Sequence, residues 1–304
     1  MQAFAPGIYA RSEALVQATR DLDRGRTTED AVDAQFADDL ERLVAAQQEA
    51  GLDLLADGML RWQDVFRPLL EATDGLEPGP LTRYLDTNTF YRAPHASTVG
   101  PTLREQLDER FIAPLPGPRL VTLPSPYALA RGTGVAPKTI AEEVLKPQLD
   151  ALDAELVVLA EPFLARDEDA PLSELAQALE PLAREDGPEL AVQFTFGDAR
   201  RLLEQGAGEL PVDAIGVDFY ATHVSDVPQG LEKLLLGGVV DARSSMLEDP
   251  GELAEFAERL RMERGVERIA LVPNGDLQYV SEPIAREKLA RLGRAKTATT
   301  EAAA

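Results

Sequence analysis

Cysteine is absent from all 304 residues, and its absence excludes more than disulfides. A cysteine nucleophile and every thiolate metal site are excluded with it. Histidine is nearly absent too, with only His95 and His223, so a three-histidine metal site is also ruled out. A metal here would rest on carboxylate and amide oxygens. Lysine is scarce: Lys138, Lys146, Lys233, Lys288 and Lys296 are the only ones among 30 basic residues. Against these stand 53 acidic residues, giving a net charge of −23. A surface of that sign repels nucleic acid phosphates and anionic lipids, so neither is expected as a partner. The excess acid reads as a solvated surface and describes solubility rather than function. No apolar run approaches the roughly 18 residues of a membrane span. The opening MQAFAPGIYARSEAL has no basic region followed by an apolar stretch. The expectation is a cytoplasmic chain without a signal peptide.

What is present is a rhythm. Hydrophobic residues make up 44% of the chain, and its length suffices for one large core. Short β-branched or Leu-rich runs alternate with longer helical patterns. Strands are expected near 4–9, 52–56, 119–123, 156–160, 190–195, 214–218, 236–240 and 269–272. Alternating βα units favour a parallel sheet, and eight of them favour closure. The expected fold class is α/β, a single (β/α)8 TIM barrel over residues 1–290. Pro6 and Gly7 make the first strand the weakest. One helix shows the logic: Thr27 is placed to cap it, with Asp30 reaching back as in a capping box. Val32, Phe36, Leu40 and Leu43 then share a face, and Gly51 closes the helix. Between strands two and three the rhythm breaks. Pro68, Pro78, Pro80, Pro94, Pro101, Pro114, Pro116 and Pro118 predict a Pro-rich excursion, with a short helix near 101–112. The stretch 291–304 is small and polar and predicts a frayed C-terminal tail.

In such a barrel, chemistry gathers where strands end. The expected ends carry Asp57 and Arg61; Ser125 and Tyr127; Glu161; Gln193 and Thr195; Asp218 and His223; Asp241 and Arg243; Asn274 and Asp276. These residues can line a pocket or make an ordinary polar rim, and the pattern alone names no reaction. Asp57 and Arg61, in DGMLRWQD, read as a local pair or as a clamp for a charged ligand. Glu161 follows VVLA and precedes Pro162, so a carboxylate emerges at a rigid strand end. It suits an amine, a proton transfer or a buried ion pair. His223 lies five residues past Asp218, too far for one helical turn to join them. Like His95 beside Pro94, it reads as structural or solvated. No Gly-rich phosphate loop and no Ser–His–Asp spacing occurs.

Several segments match a known family in order, over about residues 4–290. LTRYLDTNTFYRAP (81–94) resembles the W-F-D-T-N-Y-H-Y-x-x-P segment of cobalamin-independent methionine synthases, in their N-terminal half. QQEAGLDLLADGMLRWQD (47–64) is similar to their Q-x-x-A-G-[LI]-D-x-[LI] stretch. AEPFL (160–164) resembles D-E-P-A-L, LLLGGVVDAR (234–243) resembles L-x-x-G-V-V-D-G-R, and VPNGDL (272–277) falls at a late strand end of the family. The DTN and GVVD-x-R segments are the more specific of these.

Full-length members of that family contain two related barrels. The C-terminal one holds zinc through His, Cys, Glu and Cys and activates homocysteine as a thiolate. At those positions this chain has Gln193 and Thr195, Asp218, and Gly275. Of the G-S-F-P motif only Gly7 survives, with Ile8 in place of serine, and Ala160 replaces an Asp. The resemblance is therefore closest to the N-terminal, zinc-free barrel. It implies no zinc cofactor, leaving only a weak hard-cation site drawn from Asp57, Glu161, Asp218 or Asp241. It also implies a role in methyl transfer as a folate-binding or assembly partner of a separately encoded zinc-bearing barrel, with a folate or an amino acid as ligand. Two alternatives stand beside it. One is a metal-free enzyme of the uroporphyrinogen decarboxylase kind, with Arg61, Arg92, Arg131 and Arg243 to hold carboxylates. The other is a non-catalytic ligand-binding protein. Asp86, Asn88 and Tyr91 are expected to shape the rim or an inter-barrel contact. In that reading Asp and Asn bond their own backbone, and Tyr91 offers an apolar body with a polar tip.

Overall fold

Runs such as Leu120–Pro124, Ala214–Asp218, Leu234–Val240 and Ile269–Pro273 are buried at every position, the signature of strands covered on both faces. In the computed structural model, which describes residues 1–184 and 186–302, they belong to one curled parallel sheet. The chain runs through β1 (Gln2–Ala3), α1 (Glu13–Asp23), α2 (Glu29–Glu49), α3 (Arg67–Glu71), β2 (Thr73–Asp74), β3 (Leu76–Arg83), β4 (Phe90–Ala96) and β5 (Thr102–Leu103). It continues through β6 (Leu120–Pro124), α4 (Pro126–Ala130), α5 (Pro137–Ile140), α6 (Lys146–Asp150), β7 (Leu156–Glu161), α7 (Leu172–Leu179), β8 (Glu189–Phe194) and α8 (Arg200–Glu204). The last elements are β9 (Ala214–Asp218), β10 (Leu234–Val240), α9 (Pro250–Arg264), β11 (Ile269–Pro273) and α10 (Glu282–Ala302). The large sheet has seven strands, in the order β1–β11–β10–β9–β8–β7–β6.

Segment 53–55 touches both edges of this sheet. The Asp53 amide donates to Ala3 O at 2.9 Å, and the Asp53 carboxylate accepts from the Ala3 amide at 2.8 Å. On the other side, the Leu55 amide donates to Pro118 O, and the Leu120 amide donates to Leu55 O, each at 2.9 Å. Alternate residues on neighbouring strands then meet in one cluster: Phe4, Ala56, Leu120, Leu156, Val158, Ala191, Ala214, Leu234, Leu236, Ala270 and Val272, with Leu54 against it. Period-two side chains from all seven strands and their flanks can share one cluster only on the concave side of the curl. A larger cluster on the outer side packs the helices onto the sheet.

Four expectations need correction. The first strand is shorter than expected, because Pro6 and Gly7 (φ +89°) turn the backbone away after Phe4. The α2 cap is Thr28 rather than Thr27, its hydroxyl accepting from the Ala31 amide at 3.3 Å. Residues 101–112 form no helix. The proline-containing stretch instead builds two antiparallel pairs, β2 with β5 and β3 with β4. Prolines are tolerated there because a two-stranded arm has free edges, and the register shifts between Pro78 and Leu81. Finally, the expected frayed tail is helical through Ala302, since Leu292 and Ala295 are fully buried; residues 303–304 lie outside the described ones.

Candidate functional site at the strand ends

The carboxyl ends of the sheet strands carry a dense polar layer, and the protein itself engages most of it. Glu161 ends β7 and is fully buried. Its carboxylate accepts from the amides of Phe163 and Leu164, each at 2.8 Å, and from the Ser125 hydroxyl. Ser125 in turn caps α4 by accepting from the Ala128 amide. Burial pushes the Glu161 carboxyl up from 4.5 to about 6, while those three donors pull it back. Opposite, Asp276 accepts from the Ile8 amide at 2.9 Å, and burial raises its carboxyl too. At the end of β9, one Asp218 oxygen accepts from Asn274 Nδ2 (3.0 Å) and the Tyr220 amide (2.9 Å). The other is buried with no partner, and burial holds the carboxyl above its usual range. Asn274 also accepts from the Ala242 amide at 2.9 Å, and Gln193 donates to Pro273 O at 2.8 Å. Thr195 closes β8 under the Glu161 carbonyl.

Above this layer lies an aromatic cap. Tyr84 and Tyr91 come from the β3–β4 arm, Phe163 follows β7, Phe196 follows β8, Tyr279 follows β11, and Phe66 begins α3. Tyr84 stacks on Tyr279 (ring centroids 6.4 Å apart) and meets Tyr91 (5.7 Å) and Phe163 (6.2 Å) edge-on. Phe196 meets Tyr279 at 5.6 Å, and Phe66 meets Tyr91 at 5.5 Å. Phe163 follows β7 and Tyr279 follows β11, strands far apart in the sheet order, yet both rings touch Tyr84. Burial first, then the nearby Tyr279, Asp276 and Glu161, holds its phenol far above the ordinary range. Tyr84 therefore sits over the middle of the strand ends. Arg131 lies over Phe163 and Arg243 over Phe196, each 4.7 Å from the ring centroid.

The expected site residues divide accordingly. Glu161, Gln193, Thr195, Asp218 and Asn274 gather beneath the cap; Asp241 is near enough to Asp218 for its charge to help raise that carboxyl, whereas His223, Asp57 and Arg61 do not join them. Asp241 caps its own turn by accepting from the Arg243 amide. His223 is exposed, and its amide donates to Asp226. Asp57 and Arg61 do not pair with each other. Asp57 accepts from the Met59 and Ala113 amides, while Arg61 binds Asp33 and covers the Phe36 ring, 4.4 Å from its centroid. The turn between them, with Gly58 at φ +66° and Met59 at φ +48°, breaks the helical spacing that would pair them, although both line one cavity with Phe36 and Arg110. Among the described residues no three His, Asp or Glu side chains stand together as a metal site, so Asp57, Glu161, Asp218 and Asp241 are not one ligand set.

The DTN loop also departs from expectation. Asp86 does not bond its own backbone; it pairs with Arg166 at 2.8 Å. Asn88 receives only a long contact from Arg83, at 3.4 Å. Thr87 closes the loop, donating from its hydroxyl to Tyr84 O at 2.6 Å. Tyr91 is buried in the cap rather than held at an outer contact. The Thr87 hydroxyl also accepts from the Thr89 amide at 3.2 Å, so Thr87→Val should raise amide exchange at Thr89 about tenfold, as loss of one such bond implies, while Asn88→Ala leaves it within about threefold. Equal effects of the two changes, read by hydrogen exchange, would contradict this assignment.

Sequence reasoning missed Tyr84, Phe196, Tyr279, Arg166 and the Lys288–Glu248 pair. One signal was available for Tyr84: in LTRYLDTNTFYRAP it flanks the same turn as Tyr91. Phe196 had none, since its ring lies against Gly275, 79 positions away, where a Cβ would collide with it.

The positions that correspond to the family's zinc ligands do not suit that metal. Gln193 is tied to Pro273 O, Thr195 offers a hydroxyl, and Gly275 lies under the Phe196 ring. Only Asp218 could coordinate, and one ligand does not make a tetrahedral site.

Comparison with known proteins agrees with this fold. Residues 138–264 match the family described as the cobalamin-independent synthase, N-terminal domain. A 5-methyltetrahydropteroyltriglutamate–homocysteine methyltransferase of Mycobacterium bovis is 29% identical over 214 residues, covering 62% of this chain and 27% of that protein. One from Mycolicibacterium paratuberculosis is 30% identical over 191 residues, covering 55% and 25%. The chain thus spans about a quarter of the length of these curated relatives. By fold, it superposes on a B12-independent methionine synthase from Shewanella sp. W3-18-1 solved with selenomethionine (TM-score 0.72, 17% identity, 91% of each chain). It also superposes on a putative vitamin-B12 independent methionine synthase from Listeria monocytogenes (TM-score 0.74, 15% identity, 98% and 97% of the chains). Through its middle in sequence, and along nearly its whole length in fold, the chain is similar to cobalamin-independent methionine synthases.

Proposed function

We propose that this chain is a closed (β/α)8 barrel of the N-terminal kind that serves methyl transfer to homocysteine as the partner of a separately encoded, zinc-bearing barrel. Segment 53–55, bonded to both sheet edges, supports closure. One observation carries the functional reading. The family's metal and thiolate positions are taken over by internal contacts, Gln193 to Pro273 O and Phe196 against Gly275, beneath an aromatic cap. In the family reaction a homocysteine thiolate attacks the methyl group of a methylated folate, giving methionine and the demethylated folate. Zinc supplies the thiolate by lowering the thiol's pKa. This chain's own part is to bind or position, because its strand ends offer no such activation. The decarboxylase reading is weaker, since Arg61, Arg131 and Arg92 are held by Asp33, Asp167 and the Gly79 carbonyl rather than aimed into one cavity.

Three assays test the proposal: purified chain with homocysteine and a polyglutamylated methyltetrahydrofolate, a zinc-bearing homologous barrel alone, and the two together. Methionine should form at a substantial rate only in the mixture. Turnover by this chain alone at ordinary enzyme rates, or no effect of adding it to its homologue, would overturn the partner role. Stoichiometric zinc retained through dialysis against a chelator would refute the metal-free reading.

A further inference from the structure

The β3–β4 arm forms a unit of its own. Its strands pair with each other, and the turn is closed by the Tyr84 amide donating to Thr89 O. Among the described residues, no backbone–backbone hydrogen bond ties residues 76–96 to any other segment. The arm is attached to its surroundings by side chains: the Tyr84 and Tyr91 rings, the buried Leu76 and Pro94 near its base, the Thr89 hydroxyl bonded to Tyr279, the Asp86–Arg166 pair, and Asp64, which accepts from the Arg92 amide at 3.0 Å. The β2–β5 pair beneath it forms a short mount. Between mount and arm lie Gly75, at φ +87°, and the exposed residues 97–100, ending in Gly100. Glycine holds this φ without strain, and the Ser97 amide donates to Gly75 O at 3.0 Å, so the two segments turn together. The tip pair is weak, because the Asp86 side chain is 74% exposed.

We propose that this arm is a lid over the strand-end face, hinged at Gly75 and 97–100, plugged by Tyr84 and latched by Asp86 to Arg166. In the closed position the rings cover Thr195 and Glu161 and exclude water from the strand ends. A ligand reaches that face only when the arm swings out. The inference rests on reading the strand ends as the ligand-bearing side, but its test needs no ligand, so the two can fail separately.

The absence of cysteine makes a clean probe available. A single Thr195→Cys reports access beneath the lid, and a single Ala191→Cys, within the fully buried interior, reports global unfolding. With N-ethylmaleimide, Thr195→Cys should label at least about tenfold faster than Ala191→Cys under native conditions. Adding Tyr84→Ala should speed labelling at 195 by a further tenfold or so, and adding Asp86→Ala by about two- to fivefold. Neither should change the rate at 191. Labelling at 195 as slow as at 191 in every background, or fast and indifferent to Tyr84→Ala, overturns the lid. If Thr195→Cys does not fold, hydrogen exchange at Phe163 and Leu164, whose amides donate to Glu161, gives the same comparison in the Tyr84→Ala protein. Exchange unchanged by Tyr84→Ala overturns it there.

Discussion

Replacing Lys288 with alanine should lower the unfolding free energy by about 3–5 kcal/mol, the range for breaking a buried ion pair from one side. The Lys288 side chain is fully buried on α10, donating to both Glu248 oxygens at 2.9 and 3.0 Å and to Met246 O at 2.7 Å. Glu248 is itself nearly buried and also accepts from the Asp241 amide and the Tyr220 hydroxyl. Removing the ammonium leaves that carboxylate without its counter-charge, between α10 and the turn after β10. The control is Lys288→Met combined with Glu248→Gln, which removes both charges and keeps most of the volume. It should cost well under half as much. Urea unfolding followed by the fluorescence of Trp62, the only tryptophan, supplies both numbers. A single mutant within about 1 kcal/mol of the parent would show that the pair adds little.

The second large effect depends on pH. Glu161 has its carboxyl raised from 4.5 to about 6 by burial, so the folded state holds that proton more tightly than the unfolded state. Its contribution to stability is therefore fully present below about 4.5 and lost as pH rises through about 6. A shift of this size corresponds to about 2 kcal/mol. Glu161→Gln cannot titrate, so the stability of the parent relative to this variant should improve by that amount as pH falls from 7 to 4.5. The raised carboxyls of Asp57, Asp218 and Asp276 act in the same direction in both proteins and cancel in the comparison. A pH-independent difference would mean that the local donors, not burial, govern Glu161. Glu161→Ala should instead lose about 2–4 kcal/mol across the range, because two buried amides and the Ser125 hydroxyl lose their acceptor.

The strands from β6 to β11 were legible because each is a short, mostly apolar run with a polar residue at its end or directly after it, and the observed limits differ from expectation by only a residue or two. The segment around 52–56 was legible as extended chain, although it makes only one bridge, Leu55 to Arg119. The arm was not legible. Its prolines argue against regular structure locally, and only pairing between Leu76–Arg83 and Phe90–Ala96 makes them tolerable. Asp57 and Arg61 looked like partners because they are four apart, a spacing that brings side chains together on a helix and not across the Gly58 turn.

What the sequence by itself determined is the alternation of strands and helices, the exclusion of thiol chemistry, and the placing of acids and amides at strand ends. These follow from residue type and local spacing. The tertiary structure decided which of those polar groups remain available. Glu161, Asn274 and Gln193 find partners 36, 56 and 80 positions away, and Tyr84 reaches the centre of the strand ends through an arm whose docking no local pattern encodes. Closing contacts over such separations is a property of the folded chain, because packing and desolvation act on neighbours in space rather than in sequence.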